Sequence, residues 1–532
     1  MNALKGTGGL VRLALRRDRV MLPAWVLGLV MMAATSASAT ADLYPEVKDR
    51  VQLASSNNDT PSLVALYGRV YDPTSLGAVS MLKMNIFGCV MAAILSILIV
   101  VRHTRAEEES GRLELVGATA VGRRAPLTAA VLTLTGTNLV LGLLAALGLM
   151  SAGLPAAGSM ASGLAWACVG MTFGGIAAVM AQLTENARTA TALSSAALGV
   201  FFMVRAIGDT AEDDGTHWLS WLSPIGWGQQ FRPYAGDRWW VALLSAGFAV
   251  AAIAVAYGLV ARRDLGAGIL PDRPGPAHAA GSLRSPLALA WRLQRVSVVA
   301  WTVTFFVLGL IFGSMATNVG DMLDNEKARE FITDMGGVKG LSDSFLSAEM
   351  GIVAVLAGVF GVQAAMRPRG EESAQRAEAL LSTSVSRVRW VGSHLAISLA
   401  GTALMLLATG LGAGLSYGAA SDDMGQLGRL VGASLIQIPA VWVVSGVVVL
   451  TFGFVPRLAA AGWAALVVFL LIGQFGSVFN LPQAVQDVSP FAHTPRLPGG
   501  DWSMTPIVSL LAVAAALVVA GMYGFRRRDV PA

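Results

Sequence analysis

The chain has 532 residues, of which 55% are hydrophobic and only 13% are charged, and its mean hydropathy is +0.62. Soluble domains carry about 25% charged residues, so this composition excludes a protein that is mainly dissolved in water. The net charge of +5 and the pI near 9.4 are compatible with nucleic-acid binding, but the arginines form short clusters between apolar runs. Such clusters are typical of cytoplasmic loops, so we expect a lipid bilayer and no nucleic acid as partner.

Twelve apolar runs approach the length of about 20 residues that a membrane helix needs. They cover residues 20–40, 78–101, 125–152, 159–182, 190–208, 239–261, 296–318, 348–366, 388–417, 429–453, 457–479 and 504–525. The runs do not alternate as membrane strands do, so the sequence predicts an all-α polytopic membrane protein. We expect the first run to be a retained helix, because many more spans follow it.

The charges of the loops predict how these spans are oriented. Arginine clusters such as Arg123-Arg124 and Arg262-Arg263 fall on one side, whereas Asp209, Asp213 and Asp422 fall on the other. The positive-inside rule then places both termini in the cytoplasm, and an even number of spans agrees with this placement. We expect the inner membrane of a bacterial cell.

The chain repeats itself at an offset of 264 residues. The segment EEESGRLELVGATAVGR at 107–123 returns as EESAQRAEALLSTSVSR at 371–387, each time between the second and third span of a half. Ser223-Pro224 returns as Ser489-Pro490, and the sequence Arg-Arg-Asp that ends the sixth span at 262–264 returns at 527–529. We predict two parallel six-helix repeats, 1–264 and 287–532, joined by the Pro- and Gly-rich linker 265–286. Function is expected where the two halves meet.

The repeated segment is rich in ordered charge. Acid–base spacings of four and five residues among Glu107, Glu108, Arg112 and Glu114 predict a short amphipathic helix on the cytoplasmic surface. Spacing alone is compatible with a helix at the lipid headgroups that is neutralised by local ion pairs. The duplication favours a docking site for a symmetric partner.

The chain resembles the permeases of type-2 ABC exporters, specifically the fused, double-length group described as exporters of polyketide antibiotics, including tetronasin-type resistance transporters. The resemblance covers essentially the whole chain, and its most specific element is the glutamate-rich loop that ends in Val121-Gly122-Arg123. The second copy departs from the first, with Ala374 and Gln375 in place of Ser110 and Gly111.

In that family the loop is a coupling helix that docks into a separate ATPase subunit. The resemblance implies this role here for Glu107, Glu108, Arg112, Glu114, Arg123, Glu371, Glu372, Arg376, Glu378 and Arg387. It also implies two copies of an ABC ATPase as partners, with ATP and Mg held by the ATPase and no cofactor in this chain.

An amphipathic helix is predicted ahead of each half. The first covers residues 4–19 and the second residues 287–295, and their basic residues are Arg12, Arg16, Arg19, Arg292 and Arg295. The resemblance implies that these are connecting helices that contact the ATPase. Anchoring at the lipid headgroups is an equally compatible explanation.

The outer side carries a tryptophan-rich loop at 216–240, in which Trp218, Trp221 and Trp227 are the candidate outer gate. The resemblance implies short re-entrant helices there, and plain anchoring in an aromatic belt is the alternative. For lipophilic cargo, the candidate lining of the path is Phe201, Phe202, Met203, Phe475 and Phe479. Packing against lipid or core is the alternative for each of them.

Charges inside or near the spans are functional candidates because charge is costly in lipid. They are Lys83, Arg205 and Glu349. Arg205 is expected to pair with Asp209 one turn along, whereas Lys83 and Glu349 either pair with each other or extend to the outer interface. Gly170-x-x-x-Gly174 and Gly410-x-x-x-Gly414 are candidates for close helix contacts.

No P-loop sequence, metal-ligand spacing or catalytic constellation is present, so we expect a transport subunit and not an enzyme. The interpretation is an ATP-driven exporter of lipophilic compounds such as antibiotics, polyketides and drugs. The alternative is a proton-coupled secondary multidrug transporter, which also has twelve spans in two halves. The shortage of carboxylates within the spans disfavours it. A membrane enzyme would need a catalytic cluster that the sequence does not offer.

Overall fold

The computed structural model describes residues 3–117, 119–211, 217–264, 266–270, 277–318, 337–458, 461–475, 482–500 and 502–529. Every regular element in these ranges is a helix. The chain divides into two compact units, Met1–Gly275 and Pro276–Ala532. The division falls inside the predicted linker 265–286, whose ends stay a prediction.

The first unit contains six candidate membrane spans, α2, α6, α9, α10, α11 and α14, and shorter helices between them. Its described helices are α1 Thr7–Arg17, α2 Met21–Leu43, α3 Val47–Asn58, α4 Pro61–Tyr67, α5 Leu76–Ser80, α6 Met84–His103, α7 Arg105–Glu109, α8 Arg112–Gly117, α9 Ala125–Ser151, α10 Ala156–Leu183, α11 Ala187–Ala211, α12 Trp218–Trp221, α13 Pro224–Gln230 and α14 Val241–Val260.

The second unit follows a similar order. Its described helices are α15 Pro286–Asn318, α16 Gly337–Ala365, α17 Arg367–Ser373, α18 Arg376–Leu381, α19 Arg387–Ala420, α20 Gly425–Leu435, α21 Ile438–Phe454, α22 Ala461–Phe475, α23 Gln483–Gln486 and α24 Met504–Arg527, with 3-10 turns at Pro456–Leu458 and Pro490–His493.

Eleven helical stretches of the described chain are long and apolar enough to cross a bilayer. They correspond to eleven of the predicted runs, so the prediction of an all-helical, multi-pass membrane protein is confirmed. The remaining run, 457–479, contains α22, and residues 476–481 lie outside the described residues. The count of twelve and the parallel arrangement of the repeats therefore stay predictions.

Three predicted elements differ in detail from the structure. The second span begins only at Met84, because α5 is a separate helix before it. The run 429–453 is interrupted between α20 and α21, where Pro439 lacks an N–H and its ring would clash with the carbonyl four residues earlier. The predicted amphipathic helix 287–295 is the first part of α15, which continues unbroken into the span.

In the first unit, by contrast, a break separates α1 from α2. The buried polar residue Asp18, which lies at this break, accounts for it. Asp18 follows α1 and is fully buried, where its carboxylate lies 2.6 Å from His103 and 3.1 Å from Arg102. Gln294, the matching residue of the second unit, is neutral and stays within α15, with its amide 3.1 Å from His394. The charged anchor is therefore present only in the first unit.

Close contacts between small residues hold the spans together. A Cβ on Gly142 of α9 would lie 2.6 Å from the backbone oxygen of Gly163 on α10. A Cβ added to Gly170 or Gly174 would collide with Asn138 or Leu134 of α9, respectively. A Cβ added to Gly410 or Gly414 would lie 2.7 Å from a backbone atom of α20. The prediction that both Gly-x-x-x-Gly sequences mark close helix contacts is confirmed for these neighbours.

The α9–α10 contact yields a test of this packing. We expect Gly142→Ala to lower the stability of the first unit by about 1–3 kcal/mol, because a backbone oxygen cannot move aside as a side chain can. A Cβ added to Gly136, on the same helix, would meet nothing within 4 Å, so Gly136→Ala is the matched control. Thermal unfolding in detergent measures both, and equal midpoints would contradict the packing argument.

Candidate functional site

The two glutamate-rich segments, 105–117 and 367–381, are each built from two short helices. In the first, α7 and α8 are separated at Gly111, whose φ of 70° is left-handed. In the second, α17 and α18 are separated at Gln375, which has the same conformation with φ 57°. The prediction of one continuous amphipathic helix was wrong, because the backbone turns at these matching positions.

The start of the chain packs against the first segment. The N–H of Gly122 donates to the carbonyl of Lys5 over 2.9 Å, and the N–H of Arg124 donates to Ala3 over 3.1 Å. Arg17, the last residue of α1, forms an ion pair with Glu107. The first segment and α1 are thus joined by charge, and the residues before α1 are joined by backbone bonds to the loop that follows the segment.

Glu108 closes the first segment onto the end of the sixth span. Its carboxylate lies 2.5 Å from the guanidinium of Arg263 and 2.5 Å from that of Arg105. Arg123, just before α9, donates over 2.5 Å to the backbone carbonyl of Arg263. We name Glu108, Arg123 and Arg263 the first clasp. The side chains of Glu108 and Arg263 are 7% and 6% exposed, so this ion pair is closed to solvent, whereas Arg123 is exposed.

The second unit contains the same arrangement, the second clasp. The carboxylate of Glu372 lies 2.9 Å from the guanidinium of Arg528, and Arg387 donates over 2.5 Å to the carbonyl of Arg528. The side chains of Glu372 and Arg528 are 2% and 13% exposed, respectively. Arg369, which matches Arg105, is 3.9 Å from Glu372. Removing one partner of such a buried pair leaves an uncompensated charge and costs about 3–5 kcal/mol.

The clasps determine which charged residues of the segments remain available to a partner. Glu108 and Glu372 are engaged within their own units, and Arg123 and Arg387 hold backbone carbonyls. Glu107 and Glu371 are mostly covered, with Arg112 at 3.7 Å and Arg376 at 2.9 Å respectively. Among the described side chains of the second short helices, the exposed ones are Arg112, Glu114, Leu115, Arg376, Glu378 and Ala379.

Sequence reasoning missed Arg263 and Arg528 as site residues. The signal was present, because Arg-Arg-Asp ends both halves. What it could not reveal is which arginine of each pair turns inward. The structure buries Arg263 and most of Arg528, whereas Arg262 and Arg527 are exposed.

The basic residues assigned to connecting helices lie on the surface. Arg12 and Arg16 are exposed on α1, and Arg19 is exposed in the turn after it. Arg292 and Arg295 are exposed on the first turns of α15. Their positions are compatible with lipid headgroups or with a protein partner.

The tryptophans of the outer loop have unequal surroundings. Trp218 is 63% exposed, whereas Trp227 is 6% exposed and donates from its indole to the carbonyl of Trp221 over 2.6 Å. Trp221 stacks on Trp240, with ring centroids 5.4 Å apart. Trp227 is therefore buried in the first unit, whereas Trp218, Trp239 and Trp240 are exposed.

Asp209 is the centre of a buried polar cluster behind this loop. Its carboxylate pairs with Arg205 at 3.2 Å and accepts from the hydroxyl of Ser220 at 2.6 Å, so the predicted Arg205–Asp209 pair is confirmed. Its backbone carbonyl accepts from Arg69 over 3.1 Å. The cluster joins α11 to α12 and to the loop after α4. Burial also raises the pKa of the nearby Tyr71 to about 12, which keeps its phenol neutral.

Two further charged candidates are located in or beside the predicted spans. Lys83 is exposed at the start of α6, and Glu349 is half-buried in α16. No group of three His, Cys, Asp or Glu side chains that could hold a metal ion occurs among the described residues.

The candidate path residues of the first unit lie on α11. Phe201 meets Phe173 edge-on at 6.1 Å, Phe202 lies under the guanidinium of Arg205 at 4.6 Å, and Met203 is 52% exposed. Two of the three thus pack within the unit, and Met203 faces outward. The side chain of Phe475 and all of Phe479 lie outside the described residues.

A helical chain with membrane-length spans and charged segments clasped to their ends has the architecture of a membrane permease. A sequence model described as the C-terminal domain of the multidrug efflux system permease Rv1217c matches residues 8–263 and 283–526. The chain is also 46% identical over 528 residues to the multidrug efflux system permease protein Rv1217c of Mycobacterium tuberculosis, covering 99% of this chain and 95% of that protein. The chain belongs to this family of multidrug efflux permeases.

The left-handed break between the short helices can be tested by exchanging its residues. A non-glycine residue in this conformation costs about 1–2 kcal/mol. We therefore expect Gln375→Gly to raise, and Gly111→Gln to lower, the thermal stability of the purified protein. The same two exchanges should leave the segments clasped, because neither residue belongs to a clasp. A lower midpoint for Gln375→Gly would contradict the assigned backbone.

Proposed function

We propose that this chain is the membrane-spanning subunit of an ATP-driven ABC exporter, with ATP and Mg bound by a separate ATPase. The observation that supports this most is the occurrence of the same clasped, two-helix charged segment in both units. A partner present in two copies is the simplest explanation for two copies of a docking element. One copy of this chain would then assemble with two ATPase subunits.

The proposed docking surface is the part of each segment that the clasp leaves exposed. Arg112 and Arg376 keep 60% and 64% of their side chains exposed, and Leu115 is 76% exposed. An apolar side chain between charged neighbours suits the core of a protein interface, whose rim is polar. Glu107, Glu108, Glu371 and Glu372 would act indirectly, by setting the position of this surface.

For the membrane, we propose the bacterial inner membrane with both termini and both segments in the cytoplasm. The arginines that meet at the clasped end of the first unit follow the positive-inside rule. ATP is available on that side, and the partner ATPase would bind there.

For the cargo, we propose lipophilic compounds, including antibiotics of the polyketide class. The relative from Mycobacterium tuberculosis is named a multidrug efflux permease, and the buried side chains of the spans in this chain are mostly apolar or small. Met203 is the path candidate that the structure leaves most exposed.

Docking can be tested by removing the exposed charges of both segments. We expect the fourfold variant Arg112→Ala, Glu114→Ala, Arg376→Ala, Glu378→Ala to lose about tenfold or more in drug-stimulated ATP hydrolysis, because interface charges set partner recognition. Reconstitution with the partner ATPase and a native mass measurement give activity and stoichiometry together.

The matched control is Arg124→Ala with Arg389→Ala, which removes exposed arginines just beyond each segment. It should retain the wild-type rate and a mass of one chain with two ATPases. Full activity in the fourfold variant, or a complex with two copies of this chain, would refute the docking proposal.

The energy source separates the proposal from a proton-coupled secondary transporter. In the described spans Asp209 is paired with Arg205, the buried Asp343 is paired with Arg429, and Glu349 is only half-buried, so we expect no proton-carrying carboxylate. Export into inverted vesicles should continue when a protonophore collapses the gradient and should stop when ATP is withheld. The reverse result would favour the secondary transporter.

A further inference from the structure

We infer that Arg263 and Arg528 are positioning residues that make the sixth span of each half move together with its glutamate-rich segment. This inference rests on the proposed function, since it concerns how displacement of a docked segment reaches the membrane. Along the chain, each segment is continuous only with the spans that precede and follow it. Arg263, just after the sixth span of the first half, is 155 residues from Glu108 in the sequence. The sixth span is therefore joined to the segment only by contacts.

The geometry gives each of these arginines two distinct attachments. The guanidinium of Arg263 holds Glu108 of the segment, while its backbone carbonyl accepts from Arg123 at the start of α9. The segment, the third span and the sixth span therefore meet at one residue. Neither the segment nor the third span can shift relative to the end of α14 without breaking a charge-assisted bond.

Each arginine also touches the fourth span of its half. Arg263 donates from Nε to the side chain of Gln182, near the end of α10, over 2.8 Å. Arg528 lies 5.1 Å above the ring of Phe452 near the end of α21. The partner atoms differ between the units, but the elements that are joined are the same. Two independent occurrences of this pattern argue that the attachment is a working part of the molecule.

The second clasp is the better target for an experiment because fewer contacts support it. Glu108 has Arg105 at 2.5 Å as a second partner, and the carbonyl of Ala267 binds both Arg105 and Arg263. In the second unit the corresponding Arg369 is 3.9 Å from Glu372. Loss of Arg528 should therefore release its segment more completely than loss of Arg263 does.

The first comparison uses single substitutions in reconstituted vesicles, with the drug against which the wild-type chain gives the strongest resistance in cells. Arg528→Gln should slow export about tenfold, within the range of coupling changes seen for residues between two sites. Arg527→Gln is the matched control, since it removes the same charge from the exposed neighbour. Arg528→Lys, which keeps the charge beside Glu372, should retain most of the export rate.

The deciding experiment replaces the clasp by a covalent tie. In a chain whose cysteines, Cys89 and Cys168, are changed to alanine, Glu372→Cys with Arg528→Cys should export slowly. A bifunctional thiol reagent that spans the two positions should restore export, because the tie recreates the mechanical connection without the charges. A residue that merely contacted the ATPase through its charge would not be rescued in this way.

Two outcomes would overturn the inference: normal export by the untied double-cysteine protein, or slow export that the tie does not restore. A loss of folding would be visible as a lowered unfolding midpoint, and rescue by the tie at that same midpoint would still support the inference. If the cysteine-free parent exports without ATP, the proposed ABC function fails instead. In that case the comparison of export by the tied and untied proteins still tests whether the connection between Glu372 and Arg528 is needed.

Discussion

In each unit a buried glutamate is neutralised by an arginine that is far away in the sequence, and the ends of both units depend on this interaction. Glu108 and Glu372 lie where water is excluded, and each would be very costly to bury as an isolated charge. The arginine that supplies the opposite charge comes from the far end of the same unit. This requirement brings the second, third, fourth and sixth spans together at one end, and it leaves the outer part of each segment free for a partner.

The two units meet the same requirement with different surroundings. Glu107 pairs with Arg17 of the N-terminal helix, whereas Glu371 pairs with Arg367 of its own segment at 3.0 Å. The first unit therefore connects its segment to α1 by charge, whereas Glu371 is paired within its own segment. At the opposite end of the spans, the cluster around Asp209 belongs to the first unit, and the position that matches Asp209 in the second unit is occupied by Phe475. The clasped ends are alike, and the opposite ends differ at this position.

Hydropathy predicted the membrane spans well because lipid imposes one length and one composition on every helix that crosses it. Local spacing also predicted the Arg205–Asp209 pair and the close approach at Gly174. Spacing failed for the segments, since the four- and five-residue intervals from Glu108 and Glu107 to Arg112 fit one helix, while the backbone turns at Gly111. The clasps could not be predicted from any local pattern, because their partners are about half of a unit or more apart in sequence.

The long separation between the clasp residues also has a consequence for synthesis. At about 5–20 residues per second, a ribosome needs roughly 8–30 s to add the 155 residues from Glu108 to Arg263. The third to sixth spans are synthesised during that interval, while Glu108 has only Arg105 from its own segment as a nearby partner. An incomplete first half therefore presents an open, charged segment to the translocation and proteolysis machinery. Closure of the clasp marks the moment at which the half is complete.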